Sequence, residues 1–424
     1  MALYPGVQPA AVLGGPEELL TPEQVRGFLL EQLADPAYDG RSVCLIVPDA
    51  TRTCPLPMLV GAVHEALHGR VTRLTVLVAL GTHAPMAEER LARHLGYEPG
   101  RLATTYPGTE VVNHVWDDPG TFVRLGSIDQ DRVAELSEGR MRETVEVRLN
   151  RAVVEHDVCL VLGPVFPHEV VGFSGGNKYF FPGVGGQEVI DASHWLGALI
   201  TSATLIGSRG VTPVRALIDE AAALVPSQRR AICVVVRSGS TDLRAVACGP
   251  PETAWAAAAD VSAVEHVTYL DAPVRRVVSV VPEKYDDLWT GAKGFYKLEP
   301  VVADGGELVL LAPHITEVAA THPAVEEIGY HVRDYFTGQP ERFAHLHRGD
   351  LAHSTHLRGA GTWDAQTGEH PRVSVTLATG IGADVVGRIG LQHLDPASVD
   401  LDAERADPGT LVVEEAGEVL FRLR

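Results

Sequence analysis

A chain of 424 residues, with hydrophobic residues at 45% and charged residues at 21%, exceeds what one ordinary core accommodates, so two domains are expected. Its formal net charge of −20 excludes a nucleic-acid backbone or an anionic membrane as the main partner. The five cysteines, Cys44, Cys54, Cys159, Cys233 and Cys248, form no CxxC pair or regular framework, which points to reduced, mostly buried thiols and a cytoplasmic setting.

The first residues, MALYPGVQPAAVLGGPEE, lack a basic segment followed by a long apolar run, so no signal peptide is expected. No apolar stretch reaches membrane-spanning length. TPEQVRGFLLEQL opens a helix, with Thr21 as N-cap, Pro22 at the first helical position and Gln24 completing a capping box. SVCLIV (42–47) is a continuous apolar run suited to a buried parallel strand. LPMLVGAVHEALHG has helical spacing and RLTVLVAL (73–80) is a second buried strand, which makes a β-α-β unit. HDVCLVLG (156–163) and AICVVVRSG (231–239) repeat the strand signature. Past a boundary near 265–275, VRRVVSVVPE begins a strand, DDLWTGAKGFYKL a helix, and GELVLLAP and VSVTLATGI two more strands. The expected fold class is α/β, with two α/β domains of mostly parallel sheet and an active-site cleft between them. The domains are placed at 1–270, binding a cofactor, and 273–424, contributing substrate contacts.

In open α/β sheets ligand groups gather beyond the carboxyl ends of the strands. The residues there are unusually chemical. PDATRTCP (48–55) carries Asp49 and Arg52, GTHAPM (81–86) carries His83, and GPVFPHEVVGFSGGNK carries His168 and Lys178.

The stretch HEVVGFSGGNKYFFPGVGG (168–186) tests three chemistries at once. As a zinc-protease HExxH it fails, because Gly172 stands where the second imidazole is required. As a phosphate loop it fails at Asn177, which replaces the glycine, and at Tyr179, which replaces the magnesium-holding Ser/Thr. GIGADV (380–385) lacks the last glycine of a dinucleotide fingerprint. What remains is a backbone that approaches an anion or a flat ring closely. The chain has four lysines, Lys178, Lys284, Lys293 and Lys297, against abundant arginine. Where only charge is needed arginine serves; an amine can be deprotonated and made nucleophilic.

DATR (49–52), GTH (81–83), NH (113–114), and PHEVVGFSGGNKYFFPG followed by DASHW (191–195) resemble the lactate racemase (LarA) family. The resemblance runs through roughly residues 40 to 300. It implies an isomerase, a racemase or epimerase inverting C2 of a 2-hydroxy acid by hydride transfer to and from a nickel-pincer nucleotide. That cofactor is a pyridinium-3-thioamide-5-thiocarboxylic acid mononucleotide holding nickel. By the same resemblance Lys178 anchors the cofactor, His194 ligates nickel, and His83 and His168 are the acid/base pair. Asp49, Ala50, Thr51 and Arg52 fall on the loop that holds the nucleotide, and Thr290 and Lys293 on substrate contacts. The implied partners are a small anionic 2-hydroxy acid and, transiently, the cofactor-synthesis enzymes.

Asn177 and Ala84 stand where the family frequently has Arg, and Trp289 and Thr290 where the lactate enzyme has Tyr and Gln. These departures lie around the substrate rather than the cofactor, so a substrate other than lactate is expected. His314, His322, His331, His353 and His356 are further polar candidates and hint at a larger hydroxylated acid, such as a sugar acid. The rival readings are another hydride-transfer rearrangement or net oxidation, a non-catalytic organic-acid binder, and a pyridoxal-phosphate enzyme built on Lys178.

Overall fold

A computed structural model describes residues 3–424. The chain divides into two compact units. The first holds the chain through Phe166, Phe173–Ile190 and Arg209–Glu265; the second holds Pro167–Gly172, Asp191–Ser208 and His266–Arg424. The division is therefore not one cut in the chain. His168 and His194 belong to the second unit, while Lys178 belongs to the first.

The first unit is built on a seven-stranded sheet in the order Ala11–Gly14, Leu243–Gly249, Gln228–Val236, Val158–Pro164, Ser42–Pro48, Arg73–Ala79, Thr109–Asn113. Leu243–Gly249 runs antiparallel to both its neighbours. The other pairings are parallel. The apolar runs seen in the sequence are these central strands, and both faces are covered, so Val43 through Val47 are all at 0% exposure. Val43, Leu45 and Val47 pack with Leu29, Leu59 and Val63 on one face. Each such side chain contributes about 1.5–3 kcal/mol by leaving water. The helix Pro22–Gln32 starts as expected, with the Thr21–Gln24 capping box formed in both directions. From Ser42–Pro48 the order runs to Arg73–Ala79 on one side and to Val158–Pro164 on the other. That reversal is the position at which open α/β sheets receive ligands.

The second unit carries a five-stranded, all-parallel sheet in the order Gln392–His393, Ser374–Thr379, Val302–Ala312, Val274–Val280, Thr410–Val413. The helix expected over DDLWTGAKGFYKL is instead two single turns, Leu288–Gly291 and Lys293–Tyr296, with Ala292 between them. Both turns carry a glycine at a closely packed position. A Cβ on Gly291 would lie 2.6 Å from Ile315 Cδ1, and one on Gly294 would lie 2.7 Å from Ser279 Oγ. Among the described residues no helix is long and apolar enough to cross a membrane.

Candidate active site

In the first unit the loop after Ser42–Pro48 is organised by one carboxylate. Asp49 Oδ1 accepts the Thr51 N–H at 3.1 Å and the Thr51 hydroxyl at 2.7 Å. Its Oδ2 lies 2.5 Å from His83 Nδ1. Burial opposes charge on Asp49, but the hydrogen bond and charge of His83, with Arg52 and the Thr51 hydroxyl, outweigh it and hold the carboxyl well below the usual range. His83 itself stays partly open, at 38% side-chain exposure, so its far ring nitrogen remains available to a ligand. Ala50 and Thr51 are exposed and Arg52 half-buried. The family resemblance implies that all four loop residues hold a nucleotide; in the structure Asp49 spends both oxygens inside the protein.

The GTH loop is tied to the glycine-rich stretch through Gly81 N–H donating to Gly183 O at 3.0 Å. Asn113 of the NH pair braces the same loop, accepting from Met86 N–H at 3.2 Å and donating to Met86 O at 2.9 Å. His114 is fully buried beside Asn150. That pair is scaffold.

Lys178 sits half-buried in a stretch whose neighbours are buried. Gly175 and Gly176 have φ of +89° and +59°, which side-chain-bearing residues avoid, and a Cβ on Gly176 would meet Trp255 Cβ at 2.8 Å. Beneath the turn, Asn177 is 1% exposed. Its amide donates to Asp219 Oδ1 and Glu252 Oε1, both at 2.9 Å, and accepts from Arg229 at 2.8 Å. An arginine here would add a third cation beside Arg215 and Arg229, so the neutral amide suits this site. Arg215, 1% exposed, donates to Gly175 O at 3.1 Å and to Phe173 O, with its guanidinium 4.0 Å above the Trp255 ring. Nothing in the sequence alone singled out Arg215, Asp219 or Trp255, because their roles exist only through tertiary contact.

In the second unit His168 is 5% exposed. Its Nδ1 accepts the Val170 N–H at 3.2 Å, and Glu169 Oε2 stands 3.3 Å from the same nitrogen. His194 lies on the helix Gln187–Ile200, with Ser193 Oγ 3.4 Å from its Nδ1. Lys293 Nζ donates to Thr290 O at 3.4 Å and lies 4.9 Å from the Tyr285 ring centroid. Asp287 caps the turn, its Oδ1 accepting the Thr290 N–H at 2.9 Å and hydroxyl at 2.7 Å.

The extra histidines separate cleanly. His331 is held by Glu369 at 2.8 Å and Ile328 O at 3.0 Å, and His314 Nε2 lies 3.1 Å from Tyr285 O. Both have structural partners. His322 faces Asp350 at 3.3 Å and stacks on Trp289. His353 and His356 differ, because Nδ1 of each is buried and finds no hydrogen-bond partner among the described residues. Burial pushes His353 well below the ordinary histidine range, with His356, His322 and Lys293 adding to it and Glu169 opposing. Burial likewise takes His356 down to about 4, with Glu169 opposing and His194 and Lys293 adding. Glu169, His194, Lys293, His353 and His356 therefore form one electrostatic neighbourhood. Sequence reasoning missed Glu169, although its adjacency to His168 was the available signal.

A family model for the lactate racemase N-terminal domain matches residues 28–205, a span that contains Asp49, His83, His168, Lys178 and His194. The chain is 26% identical over 166 residues to the lactate racemase of Lactiplantibacillus plantarum, covering 39% of this chain and 35% of that protein. Over 168 residues it is 23% identical to the lactate racemase of Thermoanaerobacterium thermosaccharolyticum, covering 39% and 34%. Over these residues the chain is similar to the lactate racemase family. The sequence matches span about a third of each curated lactate racemase. Its fold extends further: the lactate racemase apoprotein of Thermoanaerobacterium thermosaccharolyticum superposes with a TM-score of 0.74 at 17% identity, over 98% of this chain and 95% of that one. A crystal structure of a Thermotoga maritima protein gives a TM-score of 0.86 at 29% identity, over 97% and 100%.

Proposed function

We propose that this chain is a lactate racemase family member, an isomerase that inverts C2 of a small anionic 2-hydroxy acid. The observation that carries the reading is that His83, His168, Lys178 and His194 all stand inside the matched span, with His83 already seated on an ionised carboxylate.

The family implies a nickel-pincer nucleotide, and the residues present fit it. No group of three or more His, Cys, Asp or Glu among the described residues is arranged to hold a metal. A bound nickel would then draw most of its donors from the nucleotide, with His194 adding one imidazole. Lys178 would anchor the pyridinium, and the glycines around it leave the backbone bare where side chains would collide. Ala50, exposed, and Arg52, half-buried, are proposed to face the nucleotide phosphate, with Thr51 holding the loop on Asp49. When bound, the nucleotide supplies a carbon that accepts and returns a hydride.

The chain's own residues handle the proton and the carboxylate. The hydrogen at C2 of a 2-hydroxy acid is hard to ionise, whereas its hydroxyl proton is within reach of an imidazole. His83 and His168 are proposed to take and give that proton from opposite sides of a 2-keto intermediate. Lys293 is proposed to neutralise the substrate carboxylate, with Thr290 beside it. Trp289, Thr290 and the buried His353–His356 pair support a substrate larger and more hydroxylated than lactate. The protein is proposed to act in the cytoplasm, meeting the cofactor-synthesis enzymes only transiently.

The test is a panel of chiral, C2-deuterated 2-hydroxy acids with protein produced alongside the cofactor-synthesis enzymes. Inversion with deuterium returned to C2 is expected, together with a covalent adduct on Lys178 in the intact mass. His83→Ala and His168→Ala should each lower the rate by about 10²–10⁴-fold. Deuterium lost to an external acceptor would favour oxidation instead. Binding without inversion would favour an organic-acid binder.

A further inference from the structure

The two histidines assigned above to the same proton are held in opposite ways. Asp49 is kept ionised, and an ionised carboxylate can only accept. The 2.5 Å contact between its Oδ2 and His83 Nδ1 therefore requires a hydrogen on Nδ1. In neutral His83 the lone pair then sits on Nε2. A buried carboxylate fixes the tautomer of a catalytic imidazole by the same geometry in hydrolases. Asp49 is itself fixed, since its other oxygen is occupied by Thr51 N–H and hydroxyl at 3.1 and 2.7 Å.

His168 has the reverse arrangement. The Val170 backbone N–H donates to its Nδ1 at 3.2 Å. A donor facing Nδ1 requires the lone pair there and leaves the hydrogen of the neutral ring on Nε2. Glu169 Oε2, 3.3 Å from Nδ1, becomes a partner only when that nitrogen gains a proton.

We infer that His83 and His168 rest in opposite tautomers, with Asp49 as the positioning residue that makes His83 the resting base and the Val170 amide holding His168 as a resting hydrogen-bond donor. The catalytic consequence rests on the proposed acid/base pair; the tautomers do not. In the proton step the substrate O–H bond breaks and an Nε2–H bond forms on His83. The resulting imidazolium keeps its Nδ1–H on the Asp49 carboxylate, so the new positive charge forms against an existing negative one. For His168 to act as base at Nε2, its ring hydrogen must first move from Nε2 to Nδ1, exchanging the Val170 bond for one to Glu169.

Nitrogen-15 spectra of the imidazoles in the cofactor-free protein test this directly, at the alkaline end of a titration where the rings are neutral. Among the 18 histidines, the two are identified by signals missing in His83→Gln and His168→Gln. The expected result is a protonated-type Nδ1 and unprotonated-type Nε2 for His83, and the reverse for His168. Asp49→Asn should move the His83 nitrogens toward averaged values and leave those of His168 in place. Thr51→Val, which keeps the carboxylate, should leave the His83 tautomer unchanged and guards against a poorly folded Asp49 variant. The inference is overturned if both rings show the same tautomer, or if Asp49→Asn leaves His83 unmoved. Because the spectra need no turnover, absence of racemisation with the expected shifts would sink the functional reading and spare this one.

Discussion

The indole of Trp289 lies against the imidazole of His353 with ring centroids 3.4 Å apart and planes 4° from parallel. His322 stacks on the same indole at 4.1 Å and 10°, and His356 sits 4.7 Å from His353. The buried His353 and His356 are kept uncharged, because burial penalises the cation and each further positive group nearby repels it.

Acid sensitivity follows from that neutrality. His356 is lowered from 6.5 to about 4 by burial, with His194 and Lys293 reinforcing and Glu169 opposing. The unfolded chain takes up a proton near the ordinary histidine value, while the folded chain refuses it until about pH 4. The stabilisation is therefore complete above the unfolded value and is lost as pH falls through this window. About 2 kcal/mol should disappear between pH 7.5 and 5 from this ring alone. His356→Phe keeps an aromatic edge toward Tyr296 and removes the titration. Urea unfolding at the two pH values should show the variant losing about 2 kcal/mol less than the parent; equal losses would mean that His356 is charged in the fold.

A second consequence concerns Arg215, which donates to Gly175 O and Phe173 O from beneath the Lys178 turn. Burial alone would raise Asp219, and it does so despite Arg215 pulling the other way. Arg215→Met leaves the Gly175 and Phe173 carbonyls without their donor and removes a positive charge that favours ionised Asp219. A loss of about 1–3 kcal/mol is expected for each buried carbonyl left without its donor. If Lys178 is the anchor, the fraction of protein carrying an adduct should fall as well, because the turn presenting the amine loses its clamp. Intact mass and chemical unfolding on the same preparations read the two effects separately. An adduct fraction unchanged in the surviving folded protein would confine Arg215 to stability.

Most of the sheets are legible in the sequence for a simple reason. Strands buried on both faces, such as Ser42–Pro48 and Val158–Pro164, must be written as continuous apolar runs. The polar loops after them were legible because strand ends in such sheets face ligands. The shape of DDLWTGAKGFYKL was not, since its composition is helical, whereas the chain forms two short turns, Leu288–Gly291 and Lys293–Tyr296. That His168 and His194 group with the second unit while Lys178 stays in the first depends on contacts distant in sequence. Asn177 reads as a departure from family habit until Asp219, Glu252 and Arg229 are seen around it. The pairing of Asp49 with His83, 34 positions apart, is likewise invisible until two strands lie side by side.

The most demanding packing near Lys178 is at Gly163, in the strand Val158–Pro164. A Cβ there would fall 1.8 Å from the Tyr179 hydroxyl oxygen and 2.5 Å from Cζ. Tyr179 is buried at 9% exposure, and desolvation drives its phenol well above the ordinary value, so its ring has no open space into which to retreat. Gly163→Ala must displace that ring and, with it, the residue beside it. Overpacking of this sort costs about 1–3 kcal/mol, occasionally more. The readout is local, because only four lysines compete for an amine-reactive reagent. Displacement of Tyr179 should open the turn and raise labelling of Lys178 relative to Lys284 in peptide mass maps. Tyr179→Leu in the same chain removes the ring atoms that collide and should return both stability and labelling toward the parent. Raised labelling that persists in the double variant would place the strain elsewhere in the turn, and unchanged labelling in Gly163→Ala would mean that Tyr179 does not control access to the amine.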